Sequence, residues 1–272
     1  MNKVAEILKE KNFRFNKQFG QNFITDSNLL DAMVADSGIT NDDVVVEIGA
    51  GAGTLTRAIA KVAKKVISFE IDRNLKEILD VTLNDLQNVQ VIFKDIMKVS
   101  DKEIKDLTCG NYKVVANLPY YITTPIIMRF LECDFKPKSL TIMVQKEVAE
   151  RLASKAGSSD YGAITAAVEL YSTAKITRIV DKNNFYPIPK VDSSIIRLDI
   201  DDNKFSCDKN KVKQIIKAAF AMRRKTLVNN LMTLGFTRDK IEETLTNLGM
   251  DTRIRGEVLN VNDFILLAEK LL

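Results

Sequence analysis

Between residues 44 and 145 the chain swings between short apolar runs and segments whose apolar residues recur every three or four positions. The runs at 44–49 (VVVEIG), 66–71 (VISFEI), 89–94 (VQVIFK), 113–118 (KVVANL) and 139–145 (SLTIMVQ) are rich in β-branched residues, which predicts strands buried on both faces. Helical spacing fills the gaps, in TLTRAIAKVA, in NLKEILDVTL, and around 124–132 and 146–154. Strands alternating with helices predict an α/β fold, an open parallel sheet covered on both sides. Two further β-like runs at 174–180 and 193–200 close the region, with room for an antiparallel edge.

Upstream, VAEILKE and SNLLDAMVADSG carry helical spacing. Asp26 or Ser27 serves as cap for the second and Gly38 as its stop. Between them FRFNKQFGQNF concentrates aromatics, amides and bases. Past Asp201-Asp202-Asn203 the pattern is helical to the end. KNKVKQIIKAAFAMRRKTLVNNLMTLG reads as one long helix or a broken pair, and DKIEETLTNLG and NVNDFILLAEKLL follow. The expected division is an α/β catalytic domain over 1–202, with an N-terminal helical arm, and a small all-helical domain over 203–272.

Composition narrows the chemistry. With 46% hydrophobic residues in 272, the chain can bury a sizeable core. It contains no histidine, so catalytic triads, Cys-His pairs and HExxH zinc sites are excluded. The three cysteines, Cys109, Cys133 and Cys207, are widely spaced and odd in number, which argues against a disulfide framework or a thiolate zinc site; no metal is expected. No apolar run approaches the ~20 residues needed to cross a membrane, and the charged N-terminus lacks a signal-peptide core. A cytoplasmic protein is expected.

The net charge of +4 is mild, but the bases are unevenly placed. Lys9, Lys11, Arg14 and Lys17 mark the N-terminal arm. Lys209, Lys211, Lys213, Lys217, Arg223, Arg224 and Lys225 mark a second stretch nearly free of acids. A solvated helix face explains lysines alone; the RRK triplet beside FAM points to phosphate contacts.

EIGAGAGTLT (47–56) places Gly49, Gly51 and Gly53 on alternate positions after a strand. That spacing is GxGxG, neither the GxGxxG of a dinucleotide fold nor a phosphate-cradling P-loop. Glu70 ends the second strand and can accept from ribose hydroxyls. Asp95 follows the third and can accept from an adenine amine, with Ile71 and Ile96 as apolar walls. One acidic strand end is ordinary surface. Three, with Glu47 ending the first strand beside Glu70 and Asp95, in register with the glycine turn predict a nucleoside site without a pyrophosphate, and S-adenosylmethionine fits it.

The fourth strand ends in NLPY. Pro119 fixes the backbone, so the Asn117 amide oxygen and the Leu118 carbonyl can accept from the two protons of an exocyclic amine, freeing its lone pair for methylation. Tyr120 can stack on the base, and Phe185, before Pro187 and Pro189, is the candidate for its opposite face. No general base is needed for the attack, which suits a chain without histidine.

FGQNFITD (19–26), EIGAGAGTLT, FEID (69–72), NLPYYITTP (117–125), MVQKEVAERL (143–152), FYPIPKVDSSIIRL (185–198) and FAMRRKTLVNNL (220–231) together resemble the KsgA-type ribosomal RNA adenine dimethyltransferases, relatives of the Erm methyltransferases. The resemblance implies a Rossmann-like class I S-adenosylmethionine-dependent methyltransferase sheet. It implies dimethylation of two adjacent adenosines in the 3′-terminal hairpin of 16S rRNA, within an immature 30S subunit. Asn22 and Ile24 look like cofactor contacts, and Gly49 the glycine beside the methionine moiety. Glu70 and Asp95 look like the ribose and adenine ligands, and Asn117 a residue shared by cofactor and target. On this reading Lys17, Arg223, Arg224 and Lys225 are candidate RNA contacts and the protein is a monomer. An Erm-like large-subunit methyltransferase and a non-catalytic assembly factor are the alternatives. The double tyrosine of NLPYY departs from the commoner NLPYN, and Tyr121 receives no role.

Overall fold

The structure, a computed structural model, describes Gly20 and residues 22–272. The expected first helix and the bases Lys9, Lys11, Arg14 and Lys17 lie outside the described residues. Nine strands follow one another among the described residues: β1 (Phe23–Ile24), β2 (Val44–Ile48), β3 (Lys65–Glu70), β4 (Val89–Phe93), β5 (Lys113–Asn117), β6 (Ser139–Gln145), β7 (Ser172–Val180), β8 (Phe185–Tyr186) and β9 (Ser193–Ile200).

Seven of them form one sheet in the order β4-β3-β2-β5-β6-β9-β7, while β1 pairs antiparallel with β8. The pairs β2–β3, β3–β4, β2–β5 and β5–β6 are parallel. Val45, Val46, Val66, Ile67, Val114 and Val115 are all buried. Consecutive burial, in place of alternation, follows from helices covering both faces. The antiparallel partner is β9, which lies against β6 inside the sheet and leaves β7 at the edge. Strand order reverses between β2 and β5, and open α/β sheets bind ligands outside the carboxyl ends of strands at such a reversal.

Local signals set the helix ends. Asp26 accepts from Asn28 N–H and caps the Ser27–Ser37 helix, and left-handed Gly38 ends it. The helix after the glycine turn stops at Ala60, short of the full TLTRAIAKVA run, where the Val62 and Ala63 N–H groups fold back on the Ile59 carbonyl.

The chain forms two compact units. One comprises Met1–Ala149 with Lys175–Ile200, and the other Glu150–Ala174 with Asp201–Leu272. The second therefore takes in a segment that lies within the sequence of the α/β region. Packing accounts for this: the Ala163–Tyr171 helix lies against the Lys209–Ala219 and Val261–Leu271 helices. The Phe220 ring stands 6.0 Å from both Tyr161 and Phe264. The long basic run is a broken pair, Lys209–Ala219 and Leu227–Leu231, with Thr226 capping the second helix.

Candidate active site at the strand ends

One cavity, about 880 Å³ including space open to solvent, lies outside the ends of β2, β3, β4 and β5. Of the sequence-predicted residues it gathers Asn22, Gly49, Gly51, Glu70, Ile71, Asp95, Ile96, Asn117, Leu118, Pro119 and Tyr120.

The glycine turn is shaped by backbone needs. Gly49 has φ of +80°, its N–H donates to the Phe69 carbonyl, and a Cβ there would meet nothing within 4 Å. The turn is therefore open where a ligand can approach the main chain. Gly51 is left-handed at +56°, and a Cβ would stand 2.9 Å from the Phe23 ring. Its N–H donates to Glu70 Oε2 at 2.9 Å.

Glu70 is 5% exposed, and its Oε1 accepts from the Ile71 and Asp72 N–H groups, both at 2.8 Å. Three backbone donors hold the carboxylate rigidly and leave acceptor capacity toward the cavity. Burial pushes its pKa above the ordinary glutamate value, against the pull of those donors. Asp95 is fixed differently: its Oδ1 accepts from Met97 N–H at 3.0 Å, capping a short 3₁₀ turn. Ile71 is 47% exposed although apolar, at the mouth of the cavity.

Asn117 ends β5, and its Nδ2 donates to the Asn22 carbonyl at 2.9 Å. A carbonyl can only accept, so the amide nitrogen must face Asn22 and the amide oxygen the other way. Leu118 is buried and its N–H donates to the Met143 carbonyl. The Pro119 carbonyl accepts from Ile122 N–H and the Thr123 hydroxyl, closing the turn. Tyr120 is anchored by a 2.9 Å hydrogen bond between its hydroxyl and Ser193 Oγ at the start of β9.

Two expected residues stand elsewhere. Ile24 and Phe185 are 2% and 3% exposed, belong to the core cluster with Leu30, Met33 and Ile195, and do not line the cavity. The register of β1 on β8 explains both. Ile24 is opposite Phe185, so their side chains share a face, and that face is the core. The neighbouring pair, Phe23 and Tyr186, takes the other face: Phe23 lines the cavity and Tyr186 is 39% exposed. Sequence reasoning also missed Ser193 and Tyr121, which lines the cavity beside Tyr120.

In the other unit, Arg223, Arg224 and Lys225 are exposed on the turn between two helices. Asn230, 1% exposed, holds that turn. Its Nδ2 donates to the Ala219 and Met222 carbonyls and its Oδ1 accepts from Met222 N–H. Its presence in FAMRRKTLVNNL was visible, but not this bonding. Among the described residues no cluster of His, Cys, Asp or Glu is arranged to hold a metal ion, and no helix is long and apolar enough to cross a membrane.

A family model described as ribosomal RNA adenine dimethylase matches residues 12–270. The chain is 44% identical to the ribosomal RNA small subunit methyltransferase A of Clostridioides difficile, over 98% of this chain and 94% of that one. It is likewise 44% identical to the protein of the same name from Bacillus licheniformis, over 99% and 95%. Among solved structures it is similar to a dimethyladenosine transferase from Plasmodium falciparum, with TM-score 0.76, 26% identity, and 90% and 95% of the two chains covered. The 23S rRNA methyltransferase ErmE shares the fold, with TM-score 0.71, 24% identity, and 92% and 99% covered.

Proposed function

The chain belongs to the ribosomal RNA adenine dimethylase family. On that premise we infer that it transfers methyl groups to N6 of two adjacent adenosines in the 3′-terminal hairpin loop of 16S rRNA. The products are N6,N6-dimethyladenosines, formed during small-subunit biogenesis. The methyl donor is S-adenosylmethionine, which supplies an electrophilic methyl group when bound. The observation that carries the reading is the single cavity joining the glycine turn, two acidic strand ends and the NLPY strand end.

The residues present fit the donor. Glu70 and Asp95 offer acceptors for hydroxyl and amine protons, Ile71 and Ile96 offer apolar walls, and the open face of Gly49 admits an amino-acid chain to the backbone. Asn22 supports the site by fixing Asn117. On the acceptor side, the Asn117 amide oxygen and the Leu118 carbonyl accept from the adenine amine. This draws the nitrogen toward tetrahedral geometry and frees its lone pair. Pro119 fixes their direction. Tyr120, held by Ser193, stacks on the base and keeps the amine in line. The target base leaves its stack to reach them. After transfer the amine is cationic and gives its proton to water or a carbonyl, so no histidine is required.

Arg223, Arg224 and Lys225 contact rRNA phosphates, and Lys17 in the arm adds to them. The protein acts in the cytoplasm as a monomer on immature 30S subunits, without a metal. The test is incubation with labelled methyl donor and immature small subunits, naked 16S rRNA or large-subunit rRNA, followed by mapping of the product. Dimethylation at two adjacent adenosines of the small-subunit 3′ hairpin is expected. Methylation of large-subunit rRNA alone, or none, contradicts the reading.

A further inference from the structure

Two tyrosines stand side by side after Pro119, and both line the cavity. Their surroundings differ. Tyr120 is tied through its hydroxyl to Ser193, on the β9 side. Tyr121 has Glu70 and Asp95 as its charged neighbours, the two carboxylates at the ends of β3 and β4. Its ring carbons Cδ1 and Cε1 lie 3.7 and 3.8 Å from the point where a Cβ on Gly20 would stand. The ring thus lies beside Gly20 in the cavity that Glu70 and Asp95 also line.

Tyr121 is also 60% exposed, and Ile71, which lines the same cavity, is 47% exposed. Two large apolar side chains left open around a pair of carboxylates make an incomplete slot. Its polar floor suits hydroxyl and amine protons, and its walls suit a flat ring.

We propose that Tyr121 is a cofactor-binding residue whose ring covers the adenosine part of the methyl donor, leaving Tyr120 alone to serve the target base. The assignment rests on reading Glu70 and Asp95 as the ribose and adenine acceptors. It gives the double tyrosine a division of labour: Tyr120 is tied to Ser193 and Tyr121 lies by Gly20, so each ring serves a different reactant. It also names the consequence of carrying tyrosine where the commoner motif has asparagine, a larger stacking surface on the donor side.

Calorimetric titration of S-adenosylhomocysteine, without RNA, tests it on the full-length protein. Tyr121→Ala weakens binding about tenfold, as loss of one stacked ring does. Tyr121→Phe, which keeps the ring and removes the hydroxyl, stays within about twofold of the parent. Glu70→Ala is run beside them. If Glu70→Ala weakens binding and Tyr121→Ala does not, the proposal is overturned while the cofactor site stands. If neither weakens it, the site reading itself falls and the proposal with it. If Tyr121→Phe loses as much as Tyr121→Ala, the hydroxyl carries the contact and the stacking role is overturned. Melting temperatures of the three variants equal to the parent's exclude misfolding as the source of a loss.

Discussion

At the strand ends, Glu70 is held by three backbone N–H groups and Asn117 is tied to Asn22, each in one orientation within a cavity. On the turn between the Lys209–Ala219 and Leu227–Leu231 helices, Arg223, Arg224 and Lys225 stand exposed. The structure fixes the backbone beneath them through Asn230 and leaves their side chains free to adjust. One region places single groups that cannot substitute for one another. The other sums charges that partly can. Chemistry at a reacting atom depends on position to a fraction of an ångström, whereas attraction to a phosphate backbone is long-ranged and roughly additive. A single substitution in the first region should therefore be costly, whereas losses in the second should be graded and need more than one.

The largest effect should come from Asn117→Ala. Removing its amide oxygen should lower the rate of methyl transfer by about 10²–10³, the usual cost of deleting one pre-placed polar group at a reacting centre. Single-turnover transfer to immature small subunits measures it, and near-normal turnover would dissolve the contrast. Next is Glu70→Ala. Losing an ionic acceptor costs about 1.5–3 kcal/mol, so affinity for S-adenosylhomocysteine should fall roughly ten- to a hundredfold. Calorimetry that finds it unchanged would remove Glu70 from the site. Graded behaviour should appear in Arg223→Glu with Arg224→Glu. rRNA affinity should drop about tenfold, and the slope of log affinity against log salt should become shallower by about 2. A slope equal to the parent's counts against the turn.

The smallest effect sharpens what separates Glu70 from its neighbour on β2. Glu47 is fully buried, accepts from the Thr56 and Ser68 hydroxyls at 2.6 Å, and does not line the cavity. Burial pushes its pKa up to about 8, against the pull of those hydroxyls. A carboxyl raised in the fold binds its proton more tightly than in the unfolded chain. Its contribution to stability is then full below about pH 4.5 and is lost as pH rises toward 8. Glu47→Gln should therefore gain in melting temperature relative to the parent as pH goes from 5 to 8.5, with cofactor affinity within about threefold. Parallel melting curves would show that Glu47 carries no such titration.

The sequence made the cavity legible because its chemistry is local. Gly49 and Gly51 mark the turn, and Glu70, Asp95 and Asn117 each stand at or just past a β-rich run, so the parallel pattern alone carries them to one edge. The faces of β1 and β8 were not legible. Each strand is two residues long, and alternation over two residues does not say which face is inward. Only the pairing of Ile24 with Phe185 against the core assigns Phe23 to the cavity. Asn230 and Tyr121 were hidden for a related reason. The Asn230 amide reaches back 11 residues to Ala219, and Tyr121 shares its cavity with Gly20, far upstream, and with Glu70 and Asp95, at and just past the ends of β3 and β4. The place of Glu150–Ala174 with the later helices likewise rests on contacts such as Tyr161 with Phe220, which neighbouring residues do not announce.

The contrast reduces to one measurement: single-turnover methyl transfer against rRNA concentration at several salt concentrations, for the parent, Asn117→Ala and the Arg223→Glu, Arg224→Glu pair. The account predicts that Asn117→Ala keeps the parent's half-saturating rRNA concentration and salt slope while its saturating rate collapses. The paired variant should shift half-saturation and flatten the slope, with far less change in the rate at saturation. If both variants lose rate and affinity together, the separation of placed chemistry from summed charge is contradicted.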